Sequence, residues 1–244
     1  MIGGFYWSNN FPTGYLSMIS LKGCHFPKDA VLYAVFFYLR YTVSYRDLEE
    51  IMAERGVRVD HATLNRWGVK YSPIVAARAL SKKRPTRSSW RMDETYIRVR
   101  GNWMYLYRAV DKAGNTLDFM LSERRNRPAA ARFFAKALSS NGIPSKIVID
   151  KSGANAAGIR VVNKILNRFG CPAKIQTVRS KYLNKLIEQD HRFIKRRVRH
   201  MCGFKSFRSA SATLDGIEVA KMIRKRQFPS TTTSGFRLFA EIAE

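Results

Sequence analysis

The sequence predicts an α/β protein: a mixed five-stranded sheet with flanking helices, preceded by an all-α segment. Three observations carry that reading. Apolar residues recur at helical spacing over residues 28–72. From Trp90 the pattern changes to β-rich runs broken by Gly and Asn. Between Arg124 and Leu214 the chain has 21 Lys and Arg but three acids, Asp150, Glu188 and Asp190, so those carboxylates stand out against their surroundings.

Residues 28–41 carry an almost continuous apolar face of Ala30, Val31, Tyr33, Ala34, Phe37 and Tyr38. Ser44 and Asp47 have capping-box spacing and start a second helix with Leu48, Ile51 and Met52 at helical intervals. Gly56 suits its C-terminal cap. Asp60 is the next N-cap, and a helix over 61–71 turns Leu64 and Trp67 inward and Asn65, Arg66 and Lys70 outward. Helix, turn and a helix with polar N-terminal residues form a helix-turn-helix pattern, although an ordinary helical bundle has the same outline.

Strands are expected over 90–99, 103–110 and 116–121, with turns at Gly101-Asn102 and Gly114-Asn115. A helix (128–138), a buried strand (147–150), a helix (154–169), a short strand (174–178) and a helix (184–199) follow. The order βββαβαβα is that of the ribonuclease-H-like fold, in which the first and fourth strands lie side by side. Asp93 on the first and Asp150 on the fourth would then meet, with Glu188 descending on them from the last helix. The expected organisation is a poorly ordered extension (1–22, with Met18 an alternative start), a helix-turn-helix domain (23–77) and a basic linker (78–89). A ribonuclease-H-like catalytic domain (90–203) comes next, then a C-terminal helix and tail (204–244) that either closes the core or helps dimerise.

With 44 basic against 18 acidic residues, the net charge is +26, which favours a nucleic-acid partner. No apolar run is long enough for a bilayer span, so no membrane is expected, and no long apolar leader points to secretion. Cys24, Cys171 and Cys202 lack CxxC spacing, which argues against disulfides or structural zinc and fits a reducing cytoplasm. Carboxylates on so basic a surface repel a polyphosphate unless a divalent metal lies between. Oxygen-only ligands suit Mg²⁺, with Mn²⁺ as the alternative, and two such ions can clamp an in-line phosphoryl transfer.

The segments Met92-Asp93-Glu94-Thr95-Tyr96, Tyr107-Arg108-Ala109-Val110-Asp111, Ile149-Asp150-Lys151, Lys181-Tyr182-Leu183-Asn184 and Glu188-Gln189-Asp190-His191 occur in that order after the helix-turn-helix. Together they resemble the DDE transposases of bacterial insertion sequences, most closely the insertion-sequence-six family, over about residues 22–228. The resemblance implies that Asp93, Asp150 and Glu188 are the metal-binding catalytic acids. Lys195, seven residues or about two helical turns beyond Glu188, matches a basic residue that positions DNA. The 37 residues between Asp150 and Glu188 are a few more than is usual in relatives. The resemblance further implies cleavage at the 3′ ends of the element, joining to target DNA and cointegrate products.

Glu94 follows Asp93 on a strand, so alternation turns it to the other face. Asp190 is expected to face away from Glu188, and Asp111 and Asp118 to serve turns or edges. His191 is expected to support the site by a hydrogen bond. Thr63, Asn65, Arg66 and Lys70 are the expected DNA contacts of the recognition helix. Arg192, Arg196, Arg197 and Arg199 join Lys195 on a basic helix suited to phosphate. The partners would be terminal inverted repeats and target DNA in the bacterial nucleoid, with a homodimer or larger assembly pairing two ends. Two other classes fit parts of the pattern: a non-catalytic helix-turn-helix regulator, and a ribonuclease-H-like nuclease that cuts without joining.

Overall fold

The computed structural model describes residues 25–150, 153–180, 185–201 and 203–244. The extension 1–22, Cys24, Cys202, Lys151 and the segment 181–184 lie outside them. Three helices come first: α1 (Lys28–Arg40), α2 (Tyr45–Glu54) and α3 (His61–Lys82). Ser44 and Asp47 close the expected capping box on α2, each side chain accepting from the other's backbone N–H at 3.1 and 2.8 Å. Asp60 caps α3 by accepting from the Thr63 N–H at 2.9 Å.

α3 is longer than its sequence suggests. It runs through Pro73 to Lys82, so most of the expected linker is residues 83–88 and not 78–89. Ser, Lys and Arg suggest a solvated loop there, but Val75, Ala76 and Ala79 are buried at helical spacing and outweigh them. Even Arg78 is buried, donating to the Ala243 carbonyl.

The sheet contains β1 (Ser89–Val99), β2 (Asn102–Asp111), β3 (Thr116–Ser122), β4 (Lys146–Ile149) and β5 (Gln176–Arg179) in the order β3-β2-β1-β4-β5. The β1–β2 and β2–β3 pairs are antiparallel; β1–β4 and β4–β5 are parallel. This is the ribonuclease-H-like mixed sheet, with the first and fourth strands adjacent as expected. The first hairpin turns on Arg100 and Gly101, both at positive φ, one residue earlier than the expected Gly101-Asn102. Adjacent positive φ values match the right-handed strand twist. Asp111 organises the next turn, accepting from the N–H groups of Ala113 and Asn115.

Helices α4 (Arg127–Asn141) and α5 (Gly153–Arg168) cover one face of the sheet. They bury Trp90, Met92, Tyr107, Phe133, Phe134 and Ile147 in one core. α6 (Lys185–His200), α7 (Phe207–Arg224) and α8 (Gly235–Ala243) complete the fold. The second core is continuous from Val31 and Leu64 through Ile97, Leu106 and Phe119 to Ile217 and Phe239. The N-terminal helices therefore share their core with the sheet and with α7 and α8, unlike the separate domain expected at 23–77. α7 is buried on nearly every side. A Cβ on its Gly216 would stand 2.5 Å from Leu39 and 2.8 Å from the Ser72 hydroxyl, so a glycine permits the close approach to α1 and α3. The C-terminal segment closes the core. Among the described residues no helix is long and apolar enough to cross a membrane.

Candidate active site

The β1–β4 register pairs Arg91 with Val148. Two residues further along each strand stand Asp93 and Asp150, at the same level and beyond the end of β4. Oxygen atoms of Asp93, Glu94 and Asp150 lie within 4.8 Å of one another. Asp93 and Asp150 meet as the sequence predicts. Glu94 corrects the expectation that it is turned away. Alternation does place it on the other face, but β4 stops at Ile149, and among the described residues no strand pairs with that edge of β1 beside Asp93 and Glu94. Carboxylates from both faces can converge around an unpaired edge.

Two side chains brace this group. Arg125 Nη2 is 3.1 Å from Asp150 Oδ2, and its Nε is 3.3 Å from Glu94 Oε1. Asn155 Nδ2, at the start of α5, donates to Glu94 Oε2 at 3.1 Å. Burial, then the neighbouring Glu94 and Asp150, pushes the Asp93 carboxyl up to about 7. Burial also raises Glu94, while Asn155 and Arg125 oppose it. Three carboxylates crowd together here, with the Arg125 guanidinium beside two of them. An all-oxygen donor set of this kind fits a hard divalent cation.

Glu188 sits in the first turn of α6, exposed to solvent, and is not within the close group. It lies three residues before His191, whose Nδ1 is 3.7 Å from Asp93 Oδ2, a neighbouring contact too long to be the expected hydrogen bond. Residues at that spacing share a helix face, so Glu188 is on the side of α6 that looks toward Asp93. Burial, then the Arg108 charge, pushes His191 down to about 2, so it is a neutral imidazole.

Asp190 faces elsewhere, as expected, into a buried charge network. Arg108, the cross-strand partner of Asp93, donates to Asp190 at 2.7 Å and to both oxygens of Glu218 at 2.5 and 3.0 Å. Lys221 and Lys225 each lie 2.8 Å from the Asp190 carboxylate, and Lys221 also donates to its carbonyl. Burial would raise Asp190, but Arg108, Lys221 and Lys225 outweigh it and hold the carboxyl well below the usual range. This network fixes the rotation of α6, and with it the direction of Glu188 and His191.

Arg192, Lys195, Arg196 and Arg199 are exposed on α6. Arg197 departs from the expected basic face: it is buried and donates to the Tyr38 and Leu39 carbonyls, tying α6 to the end of α1. On α3, Asn65, Arg66 and Lys70 are exposed. Thr63 is half-buried. Its hydroxyl donates to Asp60 and accepts from Arg66, so it serves the cap in this conformation. A groove of about 940 Å³ runs beside Asn65, Arg66 and Lys70, with Arg208 of α7 opposite. Sequence reasoning passed over Arg125, Asn155 and Arg208, and gave Arg108 no role within its motif. Single basic or amide residues in so basic a chain carry no distinguishing signal before the fold places them.

A family model described as a DDE domain, of the IS240 transposase type, matches residues 87–227, more than half of the chain. The transposase of insertion sequence-like element IS431mec from Staphylococcus aureus is 39% identical over 218 residues, covering 89% of this chain and 94% of the relative. The transposase of insertion sequence element IS257 in transposon Tn4003, also from Staphylococcus aureus, is 38% identical over the same coverage. Among solved structures, the HTLV-2 integrase catalytic core in complex with magnesium matches 46% of this chain and 68% of its own at TM-score 0.35 and 19% identity. The BIV integrase catalytic core matches 63% and 94% at TM-score 0.42 and 14% identity. By the family model and the curated relatives, the chain belongs to the insertion-sequence-six family of DDE transposases, enzymes of metal-dependent DNA cleavage and strand transfer.

Proposed function

We propose that the chain cuts DNA at the 3′ ends of its own insertion sequence and joins them to target DNA, with cointegrates as products. The observation that carries this reading is the convergence of Asp93, Glu94 and Asp150 at the end of β4 in a chain with net charge +26. Asp93, Asp150 and, from α6, Glu188 would hold Mg²⁺, or Mn²⁺ in its place, with Glu94 beside them. When bound, a pair of such ions supplies an activated water and stabilises the leaving 3′-oxygen.

The remaining steps belong to side chains. Arg125 and Asn155 orient Asp150 and Glu94. Neutral His191 supports Asp93 without adding charge. Lys195, about two turns past Glu188, would hold the terminal phosphate in line. Arg192 and Arg196 would meet the backbone of the same strand. Asn65 and Arg66 would read base edges of the terminal inverted repeat, with Thr63 and Lys70 beside them. Pairing two ends requires at least two protomers, acting in the bacterial nucleoid.

The test combines protein, labelled DNA from the flanks of the gene, a supercoiled target plasmid and Mg²⁺. Nicked and joined species are expected. Binding without cutting would instead make the chain a regulator, and cutting without joining a nuclease; either result overturns the reading.

A further inference from the structure

Beside the carboxylates, the β1–β2 hairpin exposes an aromatic row. Trp103 is 59% exposed and Tyr96 46%. The Tyr96 ring meets Trp103 edge-on at 6.2 Å and tilts against Tyr105 at 5.4 Å. The Arg98 guanidinium lies 6.0 Å from the Trp103 ring centre. Tyr96 pairs with Tyr105 and Arg98 with Trp103 across the ladder, so all four side chains stand on one face. Glu94 is two residues before Tyr96 on that same face.

The other face of the hairpin is anchored: Ile97, Val99 and Leu106 are buried in the larger core. On the aromatic face Tyr105 is partly buried against the smaller core, whereas Tyr96 and Trp103 stand largely exposed. Packing therefore does not explain those two rings, and exposed rings cost solubility unless they meet a partner. Their position says which partner. A strand rises about 3.3 Å per residue, so Tyr96 is about 7 Å from Glu94, within reach of one nucleotide from the carboxylates. Arg98 brings a positive charge to the rings. A second copy of a +26 chain would be repelled there, whereas a phosphate-bearing strand would be drawn in.

We propose that Tyr96, Trp103 and Tyr105, with Arg98, form a stacking platform for an unpaired nucleobase next to the scissile phosphate. Aromatic rings stack any base through its π-face, and a nearby guanidinium adds cation–π attraction. The proposal rests on the reading that the carboxylates mark the scissile phosphate. A platform here would hold the terminal base out of the duplex while the phosphate beside it reaches the acids.

The experiment uses the full chain in EDTA, so that no cutting occurs. Two probes are compared: a blunt duplex, and the same duplex with a short single-stranded 3′ tail carrying 2-aminopurine. Wild type should bind the tailed duplex about tenfold more tightly, with quenching of the 2-aminopurine. Trp103→Ala should lose both the preference and the quenching while keeping its circular dichroism spectrum. Trp103→Phe should retain most of each. Equal affinity of wild type for both probes would overturn the platform. So would an equal loss on both in Trp103→Ala, or a changed sedimentation coefficient with an unchanged tail preference, which would mark an interface between copies. The carboxylate variants test the underlying reading separately. If they lose joining while no tail preference exists, the platform falls and the reading stands. If they keep joining, the reading itself falls.

Discussion

Two charge clusters lie on either side of His191, and they are built on opposite plans. In one, Arg108, Lys221 and Lys225 surround Asp190 and Glu218, with Arg108 and Glu218 wholly buried. In the other, Asp93, Glu94 and Asp150 converge, and Arg125 bridges Glu94 and Asp150. The first is interior, each carboxylate paired with basic side chains; the second gathers three carboxylates at the end of β4. Paired interior charge fixes geometry, whereas carboxylates crowded at a strand end can share a cation from outside.

The largest expected effect breaks the carboxylate cluster. Asp93→Ala, Asp150→Ala or Glu188→Ala should each lower strand transfer by more than about a hundredfold. DNA binding should hold or tighten, because each change removes a negative charge from a basic surface. Gel assays of joined product and of complex formation measure the two quantities. Full joining by any variant would remove that residue from the site.

Breaking the interior cluster should act on stability instead. Arg108→Ala takes the ion-pair partner from the wholly buried Glu218 and should cost about 3–5 kcal/mol, read from urea unfolding. Arg125→Ala should cost less, because its guanidinium is 30% exposed and water can replace part of it. Equal losses would erase the distinction between the clusters.

A smaller effect concerns pH. Asp93 is raised in the fold to about 7 from an unfolded value near 3.8. The folded state thus holds a proton that the unfolded chain has lost, and stability should fall as pH rises between those values. Asp93→Asn should flatten that part of the profile. Mg²⁺ should raise the melting temperature at pH 8 more than at pH 5. A metal response independent of pH would argue against the carboxylates as ligands.

The finest effect lies on α3. Arg66→Ala should weaken terminal-repeat binding by about 1–3 kcal/mol while leaving random-sequence DNA nearly unchanged. Equal loss on both would make Arg66 a phosphate contact.

Sheet order, the caps at Ser44 and Asp60, and the meeting of Asp93 with Asp150 were legible because each rests on local pattern or strand order. Glu94 was not, because strand alternation separates neighbouring side chains only where the sheet continues on both sides. The helical course of 78–82 was hidden by Lys, Arg and Ser, although Val75, Ala76 and Ala79 bury the preceding turns. The shared core was hidden for a similar reason. Glu218 and Lys221 leave α7 undecided between closing the core and dimerising, whereas both charges find partners in the interior. Arg197 reads as one more cation on a basic helix until the α1 carbonyls come within its reach.

Because α7 packs against α3 on one side and grips Asp190 of α6 on the other, the molecule has the properties of a gauge. In the proposed reading, the jaw that finds the repeat and the jaw that cuts share one rigid bar. Such an instrument measures DNA length as well as letters. Each added base pair advances a strand by about 3.4 Å and also rotates it about the duplex axis. One pair inserted between the recognised bases and the cut would carry the target phosphate out of register with the acids, while every recognised letter remained in place.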